Sequence, residues 1–192
     1  MQYKFLRPRT PQAFFSEANI ITYLRLSASM TFFVLAILRS NPMYNYIGFV
    51  IHWWVDFIDG YVARKFKQET IFGAEIDIIV DRIEILFFYV IFLHFRPYLF
   101  LPVALYLIDY AFIDFYLSYQ FIKFDIISPN YFNKVNKRVY LLNYSPGGKF
   151  SNSSVITLLL VFLPQLKMLV AVMACILIGI KIYSIVLLHK KC

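Results

Sequence analysis

The sequence predicts an all-α, polytopic integral membrane protein with six transmembrane helices and an N-terminal interfacial helix. Of its 192 residues, 60% are hydrophobic and 20% are aromatic, while only 16% are charged, against roughly 25% in an average soluble domain. A soluble domain of this length could not hide so much apolar surface from water. The composition therefore excludes an ordinary cytosolic enzyme and a disordered chain, and it leaves a membrane protein of one domain.

Six apolar stretches are candidates to cross a bilayer, which takes about 20 residues of helix. Ahead of them, residues 1–16 interleave basic with apolar side chains, a mixture typical of a helix that lies on the membrane surface. We therefore expect a juxtamembrane segment over 1–16 and a six-helix membrane domain over 17–192. The approximate limits of the six stretches are 18–38, 44–63, 74–94, 98–121, 153–167 and 169–188.

The distribution of Lys and Arg predicts the orientation of the six spans. With the N-terminus inside, 13 of the 19 basic residues fall in inner segments and 3 in outer loops. This asymmetry predicts that both chain termini lie on the cytoplasmic side. The net charge of +8 fits basic loops that face an anionic leaflet. Since no basic stripe lies on a soluble module, we expect no nucleic acid as a partner.

Seven of the eleven acidic residues lie between positions 56 and 84, around the end of the second predicted span and the start of the third. Asp56 and Asp59 are three residues apart and Asp77 and Asp81 are four apart, so each pair shares one face of its helix. A short polar turn joins the two helices, which should therefore lie antiparallel and bring the four carboxylates together near the cytoplasmic surface. Carboxylates inside a bilayer are costly and by default indicate a function.

Four carboxylates at close range repel one another unless cations neutralise them. Hard oxygen ligands select Mg²⁺, Mn²⁺ or Ca²⁺, and a pair of such ions suits phosphoryl transfer. Gly60 and Ala63 let a ligand approach the helix closely, Arg64 is a natural partner for phosphate oxygens, and Gly73 lets the chain turn into the third span. The alternative is a structural set of buried ion pairs, for which four Asp against one Arg balance poorly.

The same stretch reads D-x2-D-G-x2-A-R-x8-G-x3-D-x3-D over positions 56–81, and it resembles the signature of the CDP-alcohol phosphotransferases without a departure. The resemblance implies transfer of a substituted phosphate from a CDP-linked donor, usually CDP-diacylglycerol, to a small polar alcohol, with release of CMP. It further implies phospholipid synthesis at a membrane, a cytoplasm-facing site, a homodimer, and two divalent cations, Mg²⁺ or Mn²⁺.

The resemblance also implies roles for single residues. Asp81 is the expected catalytic base, which takes the proton of the acceptor hydroxyl. The expected metal ligands are Asp56, Asp59, Asp77 and Asp81. The expected CDP-binding residues are Asp56, Gly60, Ala63, Arg64 and Gly73.

The acceptor alcohol is less narrowly indicated. Residues 72–83 resemble the corresponding stretch of phosphatidylinositol and phosphatidylinositol-phosphate synthases, whereas Gly148-Lys149 is similar to a Gly-Lys element of phosphatidylglycerophosphate synthases. The Thr that often follows that lysine is absent, since Phe150 stands there. The acceptor is therefore expected to be inositol, inositol phosphate or glycerol 3-phosphate, and the candidate acceptor-binding residues are Lys149, Arg82 and Arg138.

Several interpretations stay open. Arg138 also fits plain positive-inside topology, and Arg82 could pair with a neighbouring acid. The reaction could use serine or choline, or a CDP donor without diacylglycerol, and the chain could be a non-catalytic membrane partner. A cation transporter would place its acids near the bilayer midplane, on broken helices in repeated halves, and the chain shows no repeat.

Two further features lie in the second half of the chain. Asp109 and Asp114 fall within the fourth predicted span, five residues apart and therefore on different faces of an α-helix. A long loop is expected from about 123 to 152, with a tight turn near its end.

Overall fold

The computed structural model describes residues 16–66 and 69–190, and throughout these ranges every regular element is helical. The prediction of an all-α protein is therefore confirmed. The interfacial helix expected over 1–16 lies outside the described residues, apart from Ser16. The chain divides into two compact units, and the boundary between the described parts falls between Pro97 and Tyr98.

The first unit consists of three long helices, of which α1 packs against both α2 and α3. Each helix begins at a side-chain cap, because Ser16, Asn41 and Thr70 each accept a hydrogen bond from a backbone N–H at 2.9–3.2 Å, which satisfies one of the free donors of the first turn. Pro42, which lacks an N–H, occupies the first position of α2. The helices are α1 (Glu17–Leu38), α2 (Pro42–Lys65) and α3 (Ile71–Phe95).

Gly48 sets how closely α1 and α2 approach each other. A Cβ at this position would lie 2.7 Å and 2.8 Å from two ring carbons of Phe33 and 3.0 Å from the backbone carbonyl oxygen of Ser29. Phe33 is completely buried, so its ring has little room to move, and a helix carbonyl cannot move without its helix. A glycine is therefore required at the crossing of the two helices.

We expect Gly48→Ala to destabilise the protein by about 1–3 kcal/mol, the usual cost of overpacking a core. The measurement is the free energy of unfolding in detergent, with Gly179→Ala as the matched control. Gly179 also lies within a helix, but a Cβ there would meet nothing within 4 Å, so alanine should be neutral or slightly stabilising. Equal stability of the two variants would contradict the close approach at Gly48.

A helical run that changes pitch along its length begins at Pro97, the last residue of the first unit, and continues through the start of the second. Short 3-10 segments open and close it, and a π-helical segment interrupts its middle. The run contacts the last long helix of the chain. In order, its parts are Pro97–Leu99 (3-10), α4 (Phe100–Ile108), Asp109–Asp114 (π), α5 (Phe115–Tyr119) and Gln120–Phe124 (3-10).

The expected loop over 123–152 is largely wrong, because most of these residues are helical. At the expected tight turn, Ser145 is extended, caps the next helix through its side chain, and precedes Pro146. Gly148 then passes so close to the backbone of Leu141 and Leu142 that a Cβ would lie 2.9–3.0 Å from it. The helical elements from residue 129 to residue 162 are, in order, Pro129–Lys134 (3-10), α6 (Lys137–Val139), Tyr140–Tyr144 (π), α7 (Pro146–Lys149), Phe150–Ser154 (π) and α8 (Val155–Phe162).

A 3-10 turn, Pro164–Leu166, and the last helix, α9 (Lys167–His189), complete the second unit. Pro164 lies just beyond α8, where a missing N–H and a fixed φ stop a helix from continuing. α9 packs against α4 and α8. The short fifth predicted span therefore ends where the sequence indicates.

Among the residues that the structure describes, three helical stretches are long and apolar enough to cross a membrane: Glu17–Leu38, Pro97–Phe124 and Pro164–His189. They support the prediction of an integral membrane protein. The helices α2 and α3 have 24 and 25 residues, which is also sufficient length at about 1.5 Å per residue, but both carry several charged side chains. The count of six spans stays a prediction.

Candidate functional site

One face of α1 is polar although the helix is otherwise apolar. Asn19, Thr22, Arg25 and Ser29 are spaced three, three and four residues apart, so they lie on the same side of the helix. All four are at most 5% exposed. A buried polar group needs a partner, and the partners of this face are on α2 and α3.

The four Asp residues of the predicted site lie opposite this polar face, Asp56 and Asp59 on α2 and Asp77 and Asp81 on α3. The side chain of Asp59 is 5% exposed, whereas those of Asp56, Asp77 and Asp81 are 39%, 40% and 23% exposed. One carboxylate oxygen from each of Asp56, Asp59 and Asp77 lies within 4.8 Å of the other two. This set of hard oxygen donors, closed on one side and open on the other, fits a divalent cation.

The guanidinium of Arg25 lies among these carboxylates. Its Nη1 is 2.6 Å from Asp56 Oδ1 and 3.3 Å from Asp59 Oδ2. Its Nη2 is 2.8 Å from Asp81 Oδ1 and 3.3 Å from Asp77 Oδ1. The five donors of a guanidinium form a rigid fork, so a single buried side chain from α1 ties together the acidic faces of α2 and α3.

Glu84 holds Arg25 from behind. Its carboxylate is fully buried, and its Oε2 lies 3.2 Å from Arg25 Nε and 2.8 Å from His52 Nδ1. Ser29 donates a short hydrogen bond to its other oxygen. Glu84 thus links side chains from all three helices of the unit. A separate hydrogen bond joins α1 to α2, because Asp59 accepts from Thr22 Oγ1 at 3.2 Å.

The small residues of the signature lie next to the carboxylates in sequence. A Cβ at Gly60 would lie 3.3 Å from Nη1 of Arg64, one helical turn further along α2. At Gly73, in the first turn of α3, a Cβ would lie 3.0 Å from both Asn19 Oδ1 and Thr70 Oγ1. Gly73 thus allows the start of α3 to approach the start of α1. Ala63 is half-buried and Arg64 is exposed.

The three candidate acceptor-binding residues lie in different units. Arg82 is half-buried on α3, directly after Asp81. Arg138 and Lys149 belong to the second unit and are both exposed. The roles of all three stay predictions.

The second unit has a buried ion cluster of its own. Lys181 of α9 is 1% exposed and Asp109 is fully buried. Lys181 Nζ lies 2.5 Å from Asp109 Oδ2 and 3.2 Å from Asp114 Oδ1. The expectation that these two acids face different sides was wrong, because they bracket a π-helical segment. Hydrogen bonding from residue i to i+5 brings residues five apart towards the same side.

Sequence reasoning missed five residues of the first unit: Asn19, Thr22, Arg25, Ser29 and Glu84. The signal for the first three was present, because polar side chains at three-residue spacing within an apolar span indicate a face that packs against other polar groups. Glu84 belongs to the same acidic stretch as the signature and lies three residues beyond Asp81. What the sequence does not contain is the rotation of α1 that turns this face towards α2 and α3.

The sequence is similar to proteins of one known family. The model of the CDP-alcohol phosphatidyltransferase family matches residues 15–180. A CDP-diacylglycerol–glycerol-3-phosphate 3-phosphatidyltransferase of Cereibacter sphaeroides is 35% identical over 105 residues, covering 52% of this chain and 48% of that protein. A CDP-diacylglycerol–inositol 3-phosphatidyltransferase of Candida albicans is 39% identical over 64 residues, 33% of this chain and 27% of that protein.

A second glycerol-3-phosphate 3-phosphatidyltransferase, from Haemophilus influenzae, is 42% identical over 55 residues, 27% of this chain and 30% of that protein. The chain thus spans less than half of the length of these curated relatives. No solved structure matches it significantly.

Proposed function

This chain belongs to the CDP-alcohol phosphatidyltransferase family, and on that premise we propose that it transfers a phosphatidyl group from CDP-diacylglycerol to a polyol or a polyol phosphate, with release of CMP. The observation that carries the proposal is the convergence of Asp56, Asp59, Asp77 and Asp81 between α2 and α3. A cluster of partly open carboxylates inside a membrane protein is costly unless it binds cations or substrate.

The transfer replaces a phosphoanhydride bond with a phosphate ester. The oxygen of the acceptor hydroxyl forms a bond to the phosphorus that carries the diacylglycerol, and the bond from this phosphorus to the oxygen of CMP breaks. Asp81 accepts the hydroxyl proton, for which its partly exposed carboxylate is open to solute. Two divalent cations, Mg²⁺ or Mn²⁺, held by Asp56, Asp59, Asp77 and Asp81, would neutralise the diphosphate and the leaving CMP.

The residues that bind the donor surround the carboxylates. Gly60 and Ala63 leave space along α2 for the CDP group, Gly73 leaves space at the start of α3, and Asp56 lies one turn before Gly60. Arg64 is exposed at the end of α2, and its guanidinium can donate two parallel hydrogen bonds to phosphate oxygens.

The acceptor is inositol, inositol phosphate or glycerol 3-phosphate. Matches to relatives named for inositol and for glycerol 3-phosphate support this range. Lys149, Arg138 and Arg82 attract the phosphate or orient the hydroxyl groups, since a positive field gathers anionic solutes.

The enzyme works at a membrane surface. Both termini and the active site lie on the cytoplasmic side. The polar alcohol enters the site from solution, and the acyl chains of the donor stay in the bilayer. It acts as a homodimer, as the resemblance of its signature implies.

Release of CMP tests the proposed function. We expect the purified protein to release CMP from CDP-diacylglycerol with Mg²⁺ or Mn²⁺ only when inositol, inositol phosphate or glycerol 3-phosphate is added. Serine and choline, tested one at a time, are the comparison acceptors, and extraction of the lipid product identifies the headgroup.

Activity with serine or choline alone would keep the family reaction and overturn the polyol acceptor. Folded protein that releases no CMP with any of the five acceptors would overturn the proposed function.

A further inference from the structure

We propose that Arg25 is a resident cation of the candidate metal site, which competes with divalent cations for the four Asp carboxylates and thereby lowers their affinity for metal. This inference rests on the proposed metal site but concerns a residue outside the signature. Arg25 would hold the site assembled when no metal is bound and keep bound metal exchangeable.

The positions of the contacts support competition. Nη1 of Arg25 contacts Asp56 and Asp59, which together with Asp77 offer the oxygens that lie within 4.8 Å of one another. Nη2 contacts Asp77 and Asp81. The guanidinium therefore contacts the same carboxylates that a divalent cation would bind.

The charges show why metal is still needed beside Arg25. Five carboxylates, those of the four Asp residues and of Glu84, lie within 3.3 Å of one guanidinium. With every carboxylate ionised, four negative charges remain uncompensated by Arg25. A carboxylate has two oxygens and about four lone-pair sites, so the cluster can bind the guanidinium and metal ions together, at the cost of repulsion between like charges.

The anchoring of Arg25 shows that it stays at the site. Its side chain is fully buried, and its Nε lies 3.2 Å from Glu84, which His52 and Ser29 hold from α2 and α1. The Nε side of the guanidinium thus lies at ion-pair distance from a fully buried carboxylate, and its two Nη groups face the Asp residues. Arg25 is therefore a positioning residue with a fixed charge, unlike Arg64, which is exposed.

The test compares metal binding by the full-length protein and by Arg25→Met. After removal of metal with a chelator, Mn²⁺ affinity is measured by the EPR signal of free Mn²⁺. Thermal unfolding is followed by the fluorescence of Trp53 and Trp54, which precede Asp56 on α2. We expect Arg25→Met to bind Mn²⁺ about tenfold more tightly or better, because a positive charge close to the ion has been removed.

The same variant should unfold at a lower temperature without metal, because its carboxylates have lost their shared cation. A tighter ligand stabilises more at the same concentration, so Mn²⁺ should raise the unfolding temperature of Arg25→Met by more than that of the unmodified protein. A merely structural role for Arg25 would predict weaker or unchanged Mn²⁺ binding.

Two further variants keep the test informative. Arg25→Lys retains the charge but lacks the fork, so it should contact fewer carboxylates and bind Mn²⁺ with intermediate affinity; if Arg25→Met does not fold, this variant decides. Arg39→Met removes an exposed cation near the end of α1 and should leave Mn²⁺ affinity unchanged.

Failure of the inference and of the metal site are distinguishable. If the unmodified protein binds Mn²⁺ and both Arg25 variants bind it no more tightly, Arg25 does not compete. If the folded unmodified protein does not bind Mn²⁺, the proposed metal site is wrong and the inference falls with it.

Discussion

Asp81→Asn should abolish turnover: we expect the rate of CMP release to fall by a factor of at least about 10²–10⁴, the usual contribution of a general base. Binding of the CDP donor should stay largely intact. The amide has the shape of the carboxylate and keeps an oxygen that can accept from Arg25, whose Nη2 lies 2.8 Å from Asp81 Oδ1. It cannot take a proton from the acceptor hydroxyl. The measurement is CMP release together with equilibrium binding of CDP-diacylglycerol.

The control for this variant is Asp125→Asn. Asp125 is exposed and has a φ of 50°, a conformation that asparagine adopts readily, so neither the fold nor the reaction should change. Full turnover by purified Asp81→Asn would contradict its assignment as the base. Loss of donor binding as well as turnover would instead assign Asp81 to holding the donor.

Lys181→Met should destabilise the protein by about 3–5 kcal/mol, the usual effect of removing one partner of a buried ion pair. The change leaves the fully buried Asp109 without the ammonium that lies 2.5 Å from its Oδ2. The free energy of unfolding in detergent is the measurement, and the exposed Lys190→Met is the control.

The double variant Lys181→Met with Asp109→Asn should recover a large part of the loss, because a neutral amide costs less to bury than a carboxylate that has lost its ammonium partner. If the single variant is as stable as the unmodified protein, the buried pair does not support the second unit.

The acidic site shows how far sequence spacing can reach. Spacings of three and four residues place Asp56 with Asp59, and Asp77 with Asp81, on shared helix faces, and a short connection makes the two helices neighbours. These are local properties, so they follow from the sequence. Arg25 is 31 residues from Asp56, and its position depends on how α1 rotates and packs, which no local pattern specifies.

The second unit shows where helical periodicity misleads. Asp109 and Asp114 would lie apart on a regular α-helix, yet both contact Lys181 across a π-helical segment. A single change in hydrogen-bond pitch rotates the helix beyond it, so residue positions calculated for a regular α-helix are then wrong. The turn-forming residues between 123 and 152 predict a loop, but in the structure they cap and join short helices.

Arg25 also has a consequence for how the protein is made. During synthesis α1 emerges before α2 and α3, so the guanidinium reaches the membrane ahead of the carboxylates that contact it. An arginine or aspartate at the centre of a lone inserting helix costs about 2.5–3.5 kcal/mol, a penalty that pairing relieves. Contact with the carboxylates of α2 and α3 therefore lowers the cost of burying Arg25 only after those two helices have been made.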